Sequence, residues 1–167
     1  MSDKLVIREA VETDMASLKD IYNYYVRQTH VTFDLEEVSL DNRKNWFTTF
    51  NRNDLHRLFV AEIDQEIIGY ACSSQFRSKP AYDLSVETTI YLDHTVQGTG
   101  YGAKLYQHLL RRLADTRVHR CYGIIALPNP ASVALHARLG FTETGRLSEV
   151  GYKFGQYWDT LWMEKIC

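Results

Sequence analysis

The chain has 167 residues, 45% of them hydrophobic, and a formal net charge of -2, with a pI near 6.3. That length suits one domain, 1–167, able to bury a substantial core, and its dispersed Lys and Arg residues form no basic field for nucleic acid. No run approaches the roughly 18 uninterrupted apolar residues of a membrane span, and the start, Met-Ser-Asp-Lys-Leu-Val-Ile-Arg, lacks an apolar leader core, so a cytoplasmic protein without membrane or nucleic-acid partners is expected.

In chain order, Leu5 to Arg8 reads as a short strand. Thr13 or Asp14 can cap a helix whose apolar side carries Met15, Leu18, Ile21, Tyr22, Tyr25 and Val26. After a break near Val31-Thr-Phe-Asp-Leu, Ser39 can cap a second helix with Leu40, Trp46, Phe47 and Phe50 turned inward. Phe33, in the link, is either a core plug or one wall of a substrate pocket. Leu58 to Ile63 and Glu66 to Phe76 read as strands joined by the polar turn Asp64-Gln65. The link that follows, Arg77-Ser78-Lys79-Pro80-Ala81-Tyr82-Asp83, carries two cations and one aromatic. Arg77 and Lys79 are either merely solvated or hold an anionic substrate.

Val86 to Leu92 is rich in β-branched and aromatic residues, as a strand requires, yet it contains Glu87 where Thr or Val would be ordinary. From Gly98 onward the period changes. Gly102, Leu105, Tyr106, Leu109, Leu110 and Leu113 recur at helical spacing. Between strand and helix lies Gln97-Gly98-Thr99-Gly100-Tyr101-Gly102, whose alternating glycines allow a tight turn and close backbone approach to a ligand. Free N–H groups at a helix N-terminus suit a phosphate or pyrophosphate. A nucleotide P-loop is excluded because its lysine and hydroxyl are missing, and a dinucleotide fingerprint because the third glycine comes one position early.

Cys121 to Leu127 reads as a buried strand, and Asn129-Pro130 as the cap and first position of a helix closed by Gly140. Asn129 therefore has a sufficient structural role, though its amide can also meet a cofactor; His136 likewise reads as structural or as an acid/base group. The tail from Phe141 to Glu164 holds two strand-like segments around Gly151 to Gly155, with Tyr152, Phe154, Tyr157, Trp158 and Trp162 to finish a core or cover a subunit interface. The odd set Cys72, Cys121 and Cys167, without Cys-x-x-Cys spacing, leads us to expect reduced thiols, with neither disulfide nor zinc site. None of the histidines stands four residues from another, and no metal is expected.

Gln97 to Gly102 fits Gln/Arg-x-x-Gly-x-Gly/Ala, and the chain here resembles the GNAT superfamily of N-acetyltransferases. The runs Ala81-Tyr82-Asp83, Val86 to Leu92, Leu105 to Leu110, Leu135 to Phe141 and Gly151 to Gly155 extend the likeness, most closely to its phosphinothricin, methionine sulfoximine and methionine sulfone acetyltransferase branch. The resemblance implies an α/β (α+β) fold: a mixed, strongly twisted sheet of about six to seven strands flanked by helices, with acetyl-CoA wedged where two central strands splay. It implies that Ile90, Tyr91 and Leu92 meet the acetyl and pantetheine portion. Gln97, Gly98, Thr99, Gly100, Tyr101, Gly102 and Ala103 would cradle the pyrophosphate, with Asn129 and Ser132 at the pantetheine arm. The amino-acid site would use Phe33, Arg77, Ser78, Lys79, Tyr82, Glu87, Thr88 and Thr89. Many superfamily members have Tyr where this chain has His136; the phosphinothricin branch resembles it in having His. A homodimer is also implied.

Only a neutral amine attacks a thioester, so the chemistry asks for a base; Glu87, buried in a strand, suits that role directly or through water. A backbone N–H near Leu92 would meet the developing oxyanion, and His136 would act as acid or base near the sulfur. No covalent enzyme intermediate is needed when both substrates are aligned in one complex. Two other readings stay open: the same fold acetylating a protein N-terminus or a polyamine, and a silent acyl-CoA-binding module.

Overall fold

The computed structural model describes residues 4–50 and 53–167. Residues 1–3, the opening of the stretch read for a leader, lie outside them. Seven strands form one sheet: β1 (Val6–Glu9), β2 (Leu58–Ile63), β3 (Glu66–Gln75), β4 (Ser85–Leu92), β5 (Arg120–Ala126), β6 (Thr142–Lys153) and β7 (Gln156–Ile166). Their order is β1-β2-β3-β4-β5-β7-β6. Among the described residues four α-helices cover it: α1 (Met15–Gln28), α2 (Leu40–Phe47), α3 (Tyr101–Ala114) and α4 (Pro130–Arg138). The mixed, helix-flanked sheet expected from the sequence is the one observed.

Alternation along the strands divides the core into two layers. On one face Val86 meets Leu105, Tyr106, Leu109 and Leu113 of α3. On the other Val60, Tyr70 and Cys72 meet Met15, Leu18, Ile21 and Tyr25 of α1. The apolar stripe of α3 is buried at each residue named from the sequence. Two of the predicted caps form: the Ser39 hydroxyl accepts from Asn42 N–H at 3.1 Å, and Asn129 Oδ1 accepts from Ser132 N–H at 3.2 Å. Asp14 stands at the start of α1 but makes no cap bond, because its carboxylate is taken by Arg8 and Val11 N–H.

Two expectations are corrected. Leu40 does not face inward; it is exposed, and the buried residue of α2 is Arg43. Its guanidinium lies over the Tyr22 and Trp46 rings, so a cation among aromatics fills the place assigned to an aliphatic side chain. The cysteines are not all free thiols, because Cys121 and Cys167 form a disulfide with Cα atoms 6.5 Å apart, leaving Cys72 free and buried. Antiparallel pairing of β5 with β7 sets Cys121 opposite Lys165 and so brings the last residue beside it. A sequence separation of 46 hides a proximity that strand register creates.

The link between α1 and α2 is strapped down by polar side chains. Asn23 donates to Val38 C=O and accepts from Val38 N–H, both at 2.9 Å, while the buried Lys153 ammonium donates to Thr32 C=O at 2.8 Å. These bonds hold the Phe33 ring directly over Gly151, where a Cβ would lie 2.3 Å from it.

At the far edge of the sheet, Arg8 donates to both oxygens of the buried Asp14 carboxylate at 2.8 and 3.0 Å, and Val11 N–H adds a third bond at 2.8 Å. Burial pushes the Asp14 carboxyl up, but these bonds and the Arg8 charge outweigh it and hold the group below the usual range. We expect Asp14→Asn to cost about 1–2 kcal/mol in urea denaturation near neutral pH, a charged hydrogen-bond pair being worth somewhat more but Arg8 also reaching water. Since the folded-state pKa is depressed, this contribution is present above the ordinary carboxylate pKa of about 4 and is lost as pH falls through the folded value. Wild type and variant therefore converge in strongly acid buffer.

Candidate active site

β4 pairs with β5 only from Ser85 to Glu87. Beyond that point β5 stays with β7 and β4 with β3, so the sheet opens between its two central strands. Asp93 N–H donates to Ile68 C=O on the β3 side at 2.8 Å. By strand alternation the N–H groups of Ile90 and Leu92 point the other way, into the opening. The Leu92 carbonyl accepts the Tyr25 hydroxyl at 2.5 Å, and Gln97 Nε2 donates to that hydroxyl at 2.9 Å. The turn into the glycine run is thereby tied to α1.

The opening is part of a cavity of about 990 Å³. Its walls bring together Phe33, Glu87, Thr88, Thr89, Ile90, Tyr91 and Leu92 from the acceptor and acetyl sets named from the sequence. Gln97, Gly98, Gly100, Gly102 and Ala103 close one end, and Asn129, Ser132 and His136 of the α4 region stand across from them. Thr99 and Tyr101 belong to the same turn but do not line the cavity. Arg77, Ser78, Lys79 and Tyr82 are exposed on their loop and do not line it either; the Arg77 guanidinium lies over Phe76, 4.5 Å from the ring centroid.

The glycine run has the form of an anion cradle. Gly98 and Gly100 have φ of +79° and +82° with open space where a Cβ would stand, and Gly100 is the left-handed residue at the N-terminus of α3. Only glycine adopts this without strain, and the uncovered backbone N–H groups and helix dipole fit a pyrophosphate. The residues present thus fit the coenzyme implied by the motif.

Glu87 is half-buried in β4, on the face shared with Ser74 and Cys72, its neighbours across and along β3. Burial pushes its carboxyl above the usual range, partly offset by the Arg77 charge. Thr88 points to the opposite face and starts a chain of hydrogen bonds that the sequence did not reveal. Thr88 Oγ1 lies 2.6 Å from the Tyr106 hydroxyl, and that hydroxyl lies 3.0 Å from His136 Nε2. His136 Nδ1 is 2.8 Å from the Ser132 carbonyl. A carbonyl only accepts, so Nδ1 carries the hydrogen and Nε2 accepts from Tyr106, while the Thr88 hydroxyl hydrogen is shared between Tyr106 and the Tyr122 carbonyl 3.3 Å away. Burial pushes the His136 pKa down, opposed by the Ser132 carbonyl, and the ring is neutral. β5 makes room for it at Gly123, where a Cβ would come 2.4 Å from Nε2. The sequence marks Tyr106 only as part of an apolar stripe; a phenol at a fully buried position was the available signal, because a buried hydroxyl requires a partner.

One carboxyl, Glu87, and one imidazole, His136, reach the same cavity from opposite faces of the sheet, through the gap between β4 and β5. The arrangement sets a carboxyl raised by burial, inward N–H groups and an open glycine turn around one space. Comparison with known proteins agrees with this geometry. Residues 7–162 match the family described as Acetyltransferase (GNAT) domain. The chain is 47% identical over 161 residues to the phosphinothricin N-acetyltransferase of Streptomyces coelicolor, covering 95% of this chain and 94% of that protein. It is 33% identical over 158 residues to the L-methionine sulfoximine/L-methionine sulfone acetyltransferase of Pseudomonas aeruginosa, covering 95% and 92%. The crystal structure of a GNAT superfamily phosphinothricin acetyltransferase from Sinorhizobium meliloti in complex with AcCoA superposes with a TM-score of 0.92 at 31% identity, covering 97% of this chain and 88% of that one. The opened sheet, the glycine turn on α3 and these likenesses over nearly the whole length have one explanation: the chain belongs to the GNAT superfamily and is an acetyl-CoA-dependent N-acetyltransferase.

Proposed function

We propose that this enzyme moves acetyl from acetyl-CoA to the α-amine of a small amino-acid analogue, phosphinothricin, methionine sulfoximine or methionine sulfone, by direct attack within one complex. The observation that carries the reading is Glu87: a carboxyl raised by burial, facing the cavity at the point where β4 and β5 part. An α-ammonium entering there gives up its proton to Glu87, directly or through water, and the neutral amine is then held for attack. The inward N–H groups of Ile90 and Leu92 face the oxygen on which negative charge gathers. The turn from Gly98 to Ala103 holds the pyrophosphate, and the free edge of the Asn129 amide and the Ser132 hydroxyl border the pantetheine arm. His136, with both ring nitrogens bonded, acts near the sulfur only if Tyr106 yields its place at Nε2. Arg77 and Lys79 stand outside the cavity and draw an anionic acceptor toward Glu87, with Ser78 and Tyr82 beside them.

The whole of 1–167 serves as one catalytic domain in the cytoplasm, where acetylating such analogues detoxifies them. The enzyme acts as a homodimer, a reading supported by the exposed Leu147, Val150, Tyr152, Phe154 and Tyr157 on the β6–β7 hairpin. Steady-state assays with phosphinothricin, methionine sulfoximine, methionine sulfone, spermidine and an alanine-ended peptide test the substrate reading. We expect kcat/KM to be greatest for one of the amino-acid analogues, and preference for the polyamine or the peptide would overturn it.

A further inference from the structure

The cavity that holds Glu87 also contains a cation with no partner. Arg43 on α2 is 5% exposed and lines that cavity. Its guanidinium lies 4.5 Å from the Tyr22 ring centroid and 4.4 Å from that of Trp46. Among the described residues no carboxylate and no hydrogen-bond acceptor is found for this side chain, and its Nε is buried without a partner. Asp34 also borders the cavity, but its carboxylate accepts the Tyr22 hydroxyl at 2.7 Å instead. Glu87 reaches the same cavity from farther along the sheet, and the titratable groups beside Arg43 offer no anion: burial pushes the Cys72 thiol up to about 12 and the Tyr70 hydroxyl well above its ordinary value.

A buried charge left unpaired is costly, and two aromatic faces offset only part of that cost. Stacking does, however, fix the plane of the guanidinium and leave its hydrogen-bonding edge uncommitted. A fork held in this way matches two oxygens of a carboxylate, phosphinate or sulfone. The register gives the spacing. Ser74 lies opposite Glu87, and Cys72 lies opposite Thr89, so the level of Cys72 and Tyr70, beside Arg43, is at least two residues, or roughly 7 Å, along the strand from the base. That span exceeds the separation of an amine from its own α-carboxylate and suits a group at the end of a short side chain.

We propose that Arg43 determines specificity by receiving the oxygens at the far end of the acceptor's side chain while the α-amine lies at Glu87. This rests on the amino-acid reading above and names the group that distinguishes its substrates. Phosphinothricin, methionine sulfone and methionine share an amine and an α-carboxylate but carry an anionic, a neutral oxygenated and an oxygen-free side chain. In Arg43→Met we expect KM to rise about 10- to 100-fold for phosphinothricin and less for methionine sulfone, as loss of charged and neutral hydrogen bonds requires. KM for methionine and binding of acetyl-CoA should be nearly unchanged, and Arg43→Lys should restore part of the phosphinothricin affinity. An equal loss for all three acceptors, or none, would overturn the assignment. A measurement on wild type covers the case of a variant that fails to fold. The Arg43 Nε–H nuclear magnetic resonance signal should shift when phosphinothricin, or inorganic sulfate as a plain oxyanion, is added to the CoA-saturated enzyme; a signal that stays in place under both overturns the proposal. Should wild type acetylate none of the three amino acids, the substrate reading fails, and the sulfate-induced shift still decides whether Arg43 is an oxyanion site.

Discussion

Glu87→Gln is expected to lower kcat by about 10²- to 10⁴-fold, the range contributed by a positioned general base, with little change in KM for acetyl-CoA. The amide keeps the volume and the place in β4 but cannot hold a proton at neutral pH. The glycine turn proposed to hold the pyrophosphate, at the other end of β4, is untouched. Wild-type kcat/KM should fall as pH drops through an apparent pKa above the ordinary carboxylate range, because burial raises Glu87 and only its ionised form accepts a proton. Arg77 opposes that rise, so in Arg77→Gln the acid limb should move to still higher pH. Rates measured from about pH 5 to 9 over a range of acceptor concentrations at saturating acetyl-CoA decide the matter; undiminished turnover in Glu87→Gln would remove this residue from the role of base.

The second large effect is expected in the chain from Thr88 to His136. Tyr106→Phe removes one hydroxyl that serves two buried partners, leaving Thr88 Oγ1 and His136 Nε2 without it. We expect a loss of about 1–3 kcal/mol in stability, the usual cost of stranding buried polar groups. We also expect kcat to fall about 10- to 100-fold in Tyr106→Phe and in His136→Asn, with the double variant little worse than either, since groups that act as a unit are not additive. His136 also leaves a pH signature in stability. Its folded-state pKa is lowered by burial, so the unfolded chain takes up a proton that the folded ring refuses. Stability then decreases as pH falls below the ordinary histidine pKa of about 6.5. In His136→Asn that part of the slope should vanish, which denaturant titrations at several pH values would reveal. Additive losses in kcat would separate Tyr106 from His136 and break the proposed unit.

Much of the fold was legible because helices and strands carry different periods. The stripe from Gly102 to Leu113 announced α3, the β-branched run from Val86 announced β4, and Ser39 and Asn129 marked helix starts that their side chains do cap. These are local matters, settled by what a residue does to its own turn of backbone. The glycine turn was legible for the same reason, since the positive φ of Gly98 and Gly100 is a property of those residues themselves.

Relations across the sheet were not legible. Thr88 and Tyr106, Tyr106 and His136, Cys121 and Cys167 are distant in sequence and meet only through strand order and register. Nothing in the sequence pattern singles out Arg43, and that pattern left Arg77 and Lys79 either solvated or holding an anionic substrate; Arg43 is the one enclosed and the loop pair stands outside. The sequence by itself determined the elements, the glycine turn and the presence of an acid in a strand, because each depends on neighbours along the chain. Only the tertiary structure decided which side chains face one another within the cavity, because packing seven strands in a non-sequential order sets distances that no local pattern contains.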